Sequence, residues 1–508
     1  MPNVRRAVVT VAVASIAFIA SLRSAPARPP AREAESALAL TSADARLVAR
    51  FDWAKKQALA YAFDDDPVGP WYEAALPGRE AFCMRDVSHQ SSGAQALGLA
   101  RHTQNMLRRF AEGISESRDW CSFWEIDRYN RPAPVDYKND AEFWYNLPAN
   151  FDVLDACYRM YLWTGDRAYL DDPVFQRFYD RTVTDYVTRW SLDLDRVMKR
   201  PRFLNVRGEL DRDKKFKFFR GIPTYHESRD EYAVGLDLLA TQYAAYQAYA
   251  HLQTSRGETE TARAFAKKAA DVRALANGAW WDASTKTYRG YLRTDGGFEG
   301  EGGTMMLYRR AAADGPQMQA ALATFLARVS THTAGVEGQS HHAEILYRYG
   351  RSDEAYAELM DLTRDDKPRR EYPEVSYSVV GAIVTGTMGI TIDADSPLLA
   401  ESEGMYVDRV ITTLPGLTKE TPWAELRHLP VHANEIAVRH DGLQRSTFTN
   451  LHGPALVWQA AFPGRFEMLL VDGQPQKATI HEGPLGRVSS SVRVIVGAGN
   501  TKRVQTSS

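Results

Sequence analysis

Cysteine is scarce: Cys83, Cys121 and Cys157 are the only three in 508 residues. Three cysteines without a Cys-x-x-Cys spacing exclude a disulfide scaffold and a zinc ribbon, and leave either one bridge beside one buried thiol or three inert thiols. An excess of one charge is lacking too. Lys and Arg number 62 against 64 Asp and Glu, a formal net charge of −2. No basic stripe is available to follow a nucleic-acid backbone, so no nucleic-acid partner is expected. The chain has no Gly-x-Ser-x-Gly elbow, no Gly-x-Gly-x-x-Gly after a strand pattern and no His-Glu-x-x-His, and no cofactor is expected. One apolar run approaches membrane length, residues 7–22, but a span needs roughly 20 apolar residues. It follows Arg5 and Arg6 and precedes a stretch of small residues and prolines, the order of a secretory signal. Residues 1–28 are therefore expected to be a signal peptide, and the rest to be exported to the periplasm or the medium without stable membrane insertion.

What is present is aromatic. The chain has 24 Tyr, 20 Phe and 11 Trp, and flat apolar faces with polar edges suit sugar rings as well as cores. Over 42–395 the texture is helical. Residues 236–252, 259–276, 318–329 and 340–349 carry apolar side chains at three- and four-residue spacings. Gly and Pro fall between them, as at Gly165, Pro173, Gly221, Pro223, Gly257 and Pro373. Stacked helical hairpins fit this pattern, and no fixed-length repeat is visible. Over 397–498 the texture changes to short strands, at 406–413, 435–439, 446–450, 455–460, 466–471 and 488–496. Asp441-Gly442 and Asp472-Gly473 mark hairpin turns. The expectation is a helical domain, then a smaller C-terminal β-sandwich, then an unstructured tail over 499–508.

Three passages resemble the six-hairpin glycosidases. Arg85-Asp86, then His89-Gln90 and the helix ending Leu97-Gly98-Leu99, is similar to that family's opening motif. Gly235-Leu236-Asp237, a helix pair and Trp280-Trp281-Asp282 before Tyr288 resemble its tryptophan-rich loop. Gly338 to Gly350, with His341-His342, resembles the fifth hairpin. The resemblance implies an (α/α)6 toroid, glycoside hydrolysis with a carbohydrate as substrate, and catalytic carboxyl groups in loops at one end of the barrel.

Such hydrolysis needs one carboxylic acid to protonate the leaving oxygen and one carboxylate to activate water or attack the sugar. Tyr225-His226-Glu227-Ser228-Arg229-Asp230 precedes a long helix, and the resemblance places the general acid there: Glu227 first, Asp230 second. The general base is expected before the last helix, at Glu374 or Glu371, flanked by Tyr372. Glu374 follows Pro373 in a first helical turn, where free N–H groups are expected to hold it ionised. Inversion by Glu227 and Glu374 is the expected mechanism. Asp86 with Arg85 is implied to bind sugar hydroxyls. His89, Trp124, Trp144, Tyr225, Arg229, Trp281 and Glu337 are the remaining substrate-binding candidates. His341 and His342 beside Glu344 do not make a metal site, because adjacent residues point to different helix faces. Arginines near these loops (Arg85, Arg220, Arg229, Arg369, Arg370) hint at a uronate. The rival readings are a polysaccharide lyase or other sugar-modifying enzyme, the lyase using Tyr225 or Tyr372 with a histidine and neutralising a uronate with Arg229 or another arginine, and a non-catalytic glycan-binding protein.

Overall fold

The computed structural model describes residues 35–201, 220–226, 232–331, 334–393 and 410–507. The candidate residues Glu227, Arg229 and Asp230, and the signal-like segment 1–28, lie outside them.

Helices of two kinds alternate along the chain. Leu236–Ser255 buries Leu, Ala, Tyr, Thr and Gln on every side, as a helix enclosed by protein must. Thr259–Gly278 buries only Ala262, Phe265, Ala269, Val272 and Ala276, one stripe at three- and four-residue spacing, with its charged residues outward. The first belongs to an inner ring and the second to an outer ring. The inner ring is Met84–Ala96, Pro148–Thr164, Leu236–Ser255, Gly303–Tyr308, His342–Arg348 and Pro373–Ala382. Each packs on the next, and Pro373–Ala382 closes the circle against Met84–Ala96. Outside them lie Ala45–Ala60, Ala100–Glu112, Pro173–Val183, Thr259–Gly278, Pro316–Val329 and Ser352–Leu362. This is an (α/α)6 toroid.

Where the ring closes, small residues let the helices touch. A Cβ on Gly93 would overlap the Tyr377 carbonyl oxygen, and one on Gly381 would lie 3.3 Å from the Gly93 nitrogen. The last inner helix starts on Pro373, whose missing N–H costs nothing at that position.

The β-sandwich packs two sheets. One runs Ala39–Ser42, Trp423–Val431, Asn434–Asp441, Arg445–His452, Thr501–Thr506, Met468–Val471, Gln474–Lys477; the other runs Ile390–Asp393, Val410–Thr413, Leu456–Pro463, Val488–Val496, Thr479–Glu482. Leu426, Ile436, Val438, Phe448, Trp458, Phe462 and Val494 share one hydrophobic core with the toroid. The expected unstructured tail is a correction: Thr501–Thr506 pairs with Arg445–His452 on one side and Met468–Val471 on the other. Its single apolar residue, Val504, is fully buried, and one buried residue in a polar hexapeptide gives no sequence signal. Ala39–Ser42 likewise joins the first sheet from the opposite end of the chain. The His432 backbone N–H donates to the Trp163 carbonyl at 2.8 Å and its Nε2 bonds the Leu162 carbonyl at 2.7 Å, seating a hairpin on the end of an inner helix. Cys83, Cys121 and Cys157 are buried free thiols. No helix among the described residues is long and apolar enough to cross a membrane.

Candidate active site

The inner helices present their N-terminal turns to a common space. Four of the six carry an acid in their first turn, Asp86, Asp237, Glu344 and Glu374, and Asp152 follows about one turn into a fifth. Unpaired N–H groups and the helix dipole favour negative charge at such ends. Contacts between these turns, far apart in sequence, define the site. The Arg85 Nε donates to Asp86 Oδ1 at 3.1 Å, and its guanidinium lies 5.5 Å from the Tyr225 ring. The Tyr225 hydroxyl donates to Asp152, which also pairs with Arg309. Arg309 reaches Asp155 at 3.0 Å. Asp237 fixes the preceding loop, accepting from Tyr225 N at 2.6 Å and Thr224 Oγ1 at 2.9 Å. Burial raises its carboxyl to about 6 despite those donors. The Trp124 ring stands 6.4 Å from Tyr225 and forms a wall.

Glu374 is buried, and its carboxyl is pushed up to about 8, first by burial and then by the neighbouring Asp86 charge. This corrects the expectation of an ionised Glu374. Its helix has no side-chain cap hydrogen bond, so desolvation and a like charge outweigh the dipole. Asp86 is raised as well, by burial, with Arg85 opposing. Because Arg85 touches Asp86, the negative charge of this pair rests on Asp86 and the proton on Glu374.

A second acid pair lies behind Trp124. Glu125 pairs with Cys83 across a short antiparallel ladder. Arg79 donates to Glu125 Oε2 at 2.7 Å and lies 3.9 Å from Asp136. Burial, then Asp136, raises Glu125 to about 9. Glu125 Oε1 and Asp136 Oδ2 are both sealed without a donor; a proton on Glu125 given to Asp136 satisfies both.

One turn below Asp86, His89 meets Tyr308 Oη at 3.2 Å and Ser340 Oγ at 3.1 Å. The His341 ring lies on it, centroids 3.7 Å apart. His342 turns away to Glu358 at 2.8 Å, so the adjacent histidines diverge. Tyr372 is the N-cap residue of the last inner helix, half-buried, with Arg369 5.5 Å from its ring.

Four candidates are not gathered here. Glu371 is exposed and offers only its carbonyl, to the Tyr61 hydroxyl. Glu337 is an exposed rim residue 3.8 Å from Arg369, and its charge is felt by Asp86 and Glu374. Trp144 is buried and its Nε1 donates to Asn146 at 2.7 Å, a framework bond. Trp281 packs on Tyr288 at 5.0 Å and lines a groove with Pro316 and Gln319 against an outer helix. Of the arginines that hinted at a uronate, those described each lie against a carboxylate: Arg85 against Asp86, Arg220 against Asp119, Arg369 against Glu337 and Arg370 against Asp365. Sequence reasoning missed Asp152, Arg309, Tyr308 and the Glu125–Asp136 pair. Asp152 had a usable signal, an acid inside the apolar stretch Phe151-Asp152-Val153-Leu154, where burial demands a partner.

No protein-family model matches the chain, and no curated protein sequence does. Solved structures do. An α-L-rhamnosidase from Dictyoglumus thermophilum matches at 12% identity and TM-score 0.57, covering 93% of this chain and 51% of that one. An α-L-rhamnosidase from Aspergillus terreus matches at 12% and 0.53, covering 92% and 51%. A rhamnosidase of Bacillus sp. GL1 matches at 15% and 0.52, covering 81% and 40%. The chain spans about half or less of these proteins. At such identities the likeness is one of fold alone, the (α/α)6 toroid with its appended β domain.

Proposed function

We propose that this chain is an exported glycoside hydrolase working at the N-terminal mouth of its toroid, with Glu374 as proton donor and Asp86 as its ionised partner. The observation that carries this reading is the pair itself: a buried carboxyl raised to about 8 beside a second carboxyl touched by an arginine. Two carboxyl groups pushed into different protonation states are what glycoside hydrolysis uses. Glu374 gives its proton to the glycosidic oxygen as the bond to the anomeric carbon breaks. Water attacks that carbon and loses a proton to Asp86. The products are two hydroxyl-ended sugars, and the pair resets when Asp86 releases its proton to solvent and Glu374 takes one up. Attack by water on the face opposite the leaving group inverts the anomeric centre. Tyr225, anchored on Asp152, and Trp124 wall the sugar.

A second assignment is favoured by one observation, the position of Glu374 in the first turn of the last inner helix. There the resemblance implies a base, with Glu227 as acid. The pH profile separates the two.

The test of the function is a product screen with the chain from residue 29 onward, against neutral and acidic oligosaccharides, alongside Glu374→Gln. Products heavier by one water that vanish in the variant support hydrolysis. Unsaturated, water-less products from a uronic-acid polymer would replace it with a lyase, and binding without turnover would leave a glycan-binding protein. Export rests on the basic, apolar and small-residue order of the first 28 residues. Cell fractionation and the N-terminal sequence of the mature protein check it.

A further inference from the structure

One cation at the C-terminal end of the inner ring, away from the mouth, has no counterpart in the chain. Arg310 stands two residues past the short inner helix Gly303–Tyr308. Its φ is 56°, the left-handed region that glycine occupies freely at a helix end and an arginine does not. The turn is held without its side chain. Arg348 donates to the Tyr308 carbonyl, and Arg273 to those of Ala311 at 3.2 Å and Ala312 at 2.7 Å. Asn277 also reaches the Ala311 carbonyl at 2.8 Å, and the Tyr349 hydroxyl reaches that of Leu307 at 3.0 Å. With these carbonyls taken, the Arg310 guanidinium is not a cap for the helix end.

It is not a counter-ion either. The acids whose charge reaches it are Glu344 and Asp155, and other arginines hold both. Glu344 pairs with Arg348, and Asp155 with Arg309 at 3.0 Å and Arg159 at 3.1 Å. The Arg310 guanidinium makes no hydrogen bond or ion pair with any described residue. The Arg348 charge, then burial, bring it down to about 10, so it stays a cation at neutral pH, and it remains open to solvent. Beside it, the inner helix Leu236–Ser255 is buried from Leu238 to Gln253 except at Ala244, Gln247 and His251, and Gln247 is exposed. That spacing is one helix face. Tyr243, which has Gln247 as a neighbour, feels the Arg310 charge, so the Gln247 amide and this guanidinium share one open region. A left-handed arginine, repelled by a second arginine and paired with nothing, is unfavourable three times over in the free chain. Uncompensated local costs of this kind collect at functional sites.

We propose that this end of the toroid is a second binding site, for an oxyanion of the phosphate, sulfate or sugar-carboxylate kind, which the Arg310 guanidinium grips through two oxygens with the Gln247 amide as a neutral donor. The site is separate from the glycosidic one, and its test needs no turnover.

The experiment is calorimetric titration of the chain from residue 29 onward with inorganic phosphate, sulfate and glucuronate in turn at pH 7. At least one is expected to bind with a millimolar or tighter Kd. Arg310→Gln is expected to weaken it at least about tenfold, the loss that follows removal of a charge-assisted contact. Phosphate or sulfate binding without glucuronate identifies an inorganic or ester oxyanion, and glucuronate binding identifies a sugar carboxylate; either sustains the proposal. Glu374→Gln, at the mouth, is expected to leave the affinity unchanged. No binding of any of the three at tens of millimolar overturns the proposal. So does equal affinity in Arg310→Gln, or affinity lost in Glu374→Gln, because the anion then sits elsewhere. Arg310→Gly supplies a second readout. It removes the backbone strain and the repulsion from Arg348 together, so in anion-free buffer it should melt no lower than wild type, and the bound anion should raise the wild-type midpoint but not its own. A midpoint lower than wild type by more than about 2 °C, the shift expected from losing internal contacts, would make Arg310 a structural residue and overturn the proposal.

Discussion

Replacing Glu374 by Gln separates the protonation of the site from its packing. In the folded chain the Glu374 carboxyl keeps its proton to about pH 8, against 4.5 for a free glutamate. The sign follows from linkage. Between these values the folded state holds a proton that the unfolded state has released, so stability falls as pH rises, by about 1.4 kcal/mol per pH unit for this group. The stability is whole below pH 4.5. The loss reaches about 3 kcal/mol at pH 7 and levels off near 5 kcal/mol once pH passes the folded value. Gln fills the same space and has no proton to lose, so Glu374→Gln lacks this slope. At about 2.1 cal/mol/K of unfolding entropy per residue, a 508-residue chain shifts its thermal midpoint by about 1 °C per kcal/mol. The difference between variant and wild type should therefore grow by about 3 °C from pH 5 to pH 8 and then stay constant. Differential scanning calorimetry of both proteins across pH 5–9 measures it. Glu125, raised to about 9, contributes a similar slope to both proteins and cancels. Parallel midpoint curves across this range would refute the buried, Asp86-coupled protonation of Glu374.

Other outcomes follow from the same geometry. If Glu374 is the acid, kcat/KM falls about tenfold per pH unit above about pH 8; a limb that instead rises through pH 8 makes Glu374 the base and moves the acid to Glu227. Tyr225→Phe frees one partner of buried Asp152 and lets Arg85 lose its ring orientation. About 1–2 kcal/mol of stability and at least tenfold in kcat/KM should go together, read by calorimetry and initial rates, and an unchanged KM and kcat would mark Tyr225 as framework only. Gly93→Ala forces a methyl onto the Tyr377 carbonyl, which should cost about 3 kcal/mol or more and bring the alkaline limb of activity to lower pH. Gly338→Ala, where nothing lies within 4 Å, is the control that should do neither.

The parts legible in the sequence are those whose signal is local. The apolar spacing of 236–252 and 259–276 marks a helix pair, found as Leu236–Ser255 and Thr259–Gly278. Pro373 placed Glu374 in a first turn, and the β-branched run 488–496 is a strand with those bounds. Two- and three-residue strands such as Ala81–Cys83, paired with Glu125–Asp127, have too few residues for a period. They nonetheless hold Trp124 and Glu125 against the mouth. Asp152, an acid in an apolar helical stretch, signals that it needs a partner, but Arg309, just past Gly303–Tyr308, carries no such mark, and only ring closure brings the two together. The ionisation of Glu374 was misread for a related reason. A helix start is visible in a sequence, whereas the depth of burial and the approach of Asp86 are properties of the closed ring.

The Gly93 contact ties that closure to the chemistry. Asp86 opens Met84–Ala96 and Glu374 opens Pro373–Ala382, the pair that completes the inner circle. Gly93 stands two turns below Asp86, and Tyr377 one turn below Glu374. The backbone approach at Gly93 therefore sets how near the two carboxyls lie at the mouth. Charge repulsion between buried acids grows steeply as they converge, because the interior screens it poorly. A methyl at the crossing widens the gap, weakens the coupling, and lowers Glu374 by the lesser share that Asp86 contributes, while burial holds the rest. Small residues in this interface accordingly serve two ends at once: they admit dense packing, and by permitting that closeness they add the Asp86 charge to the burial that raises Glu374.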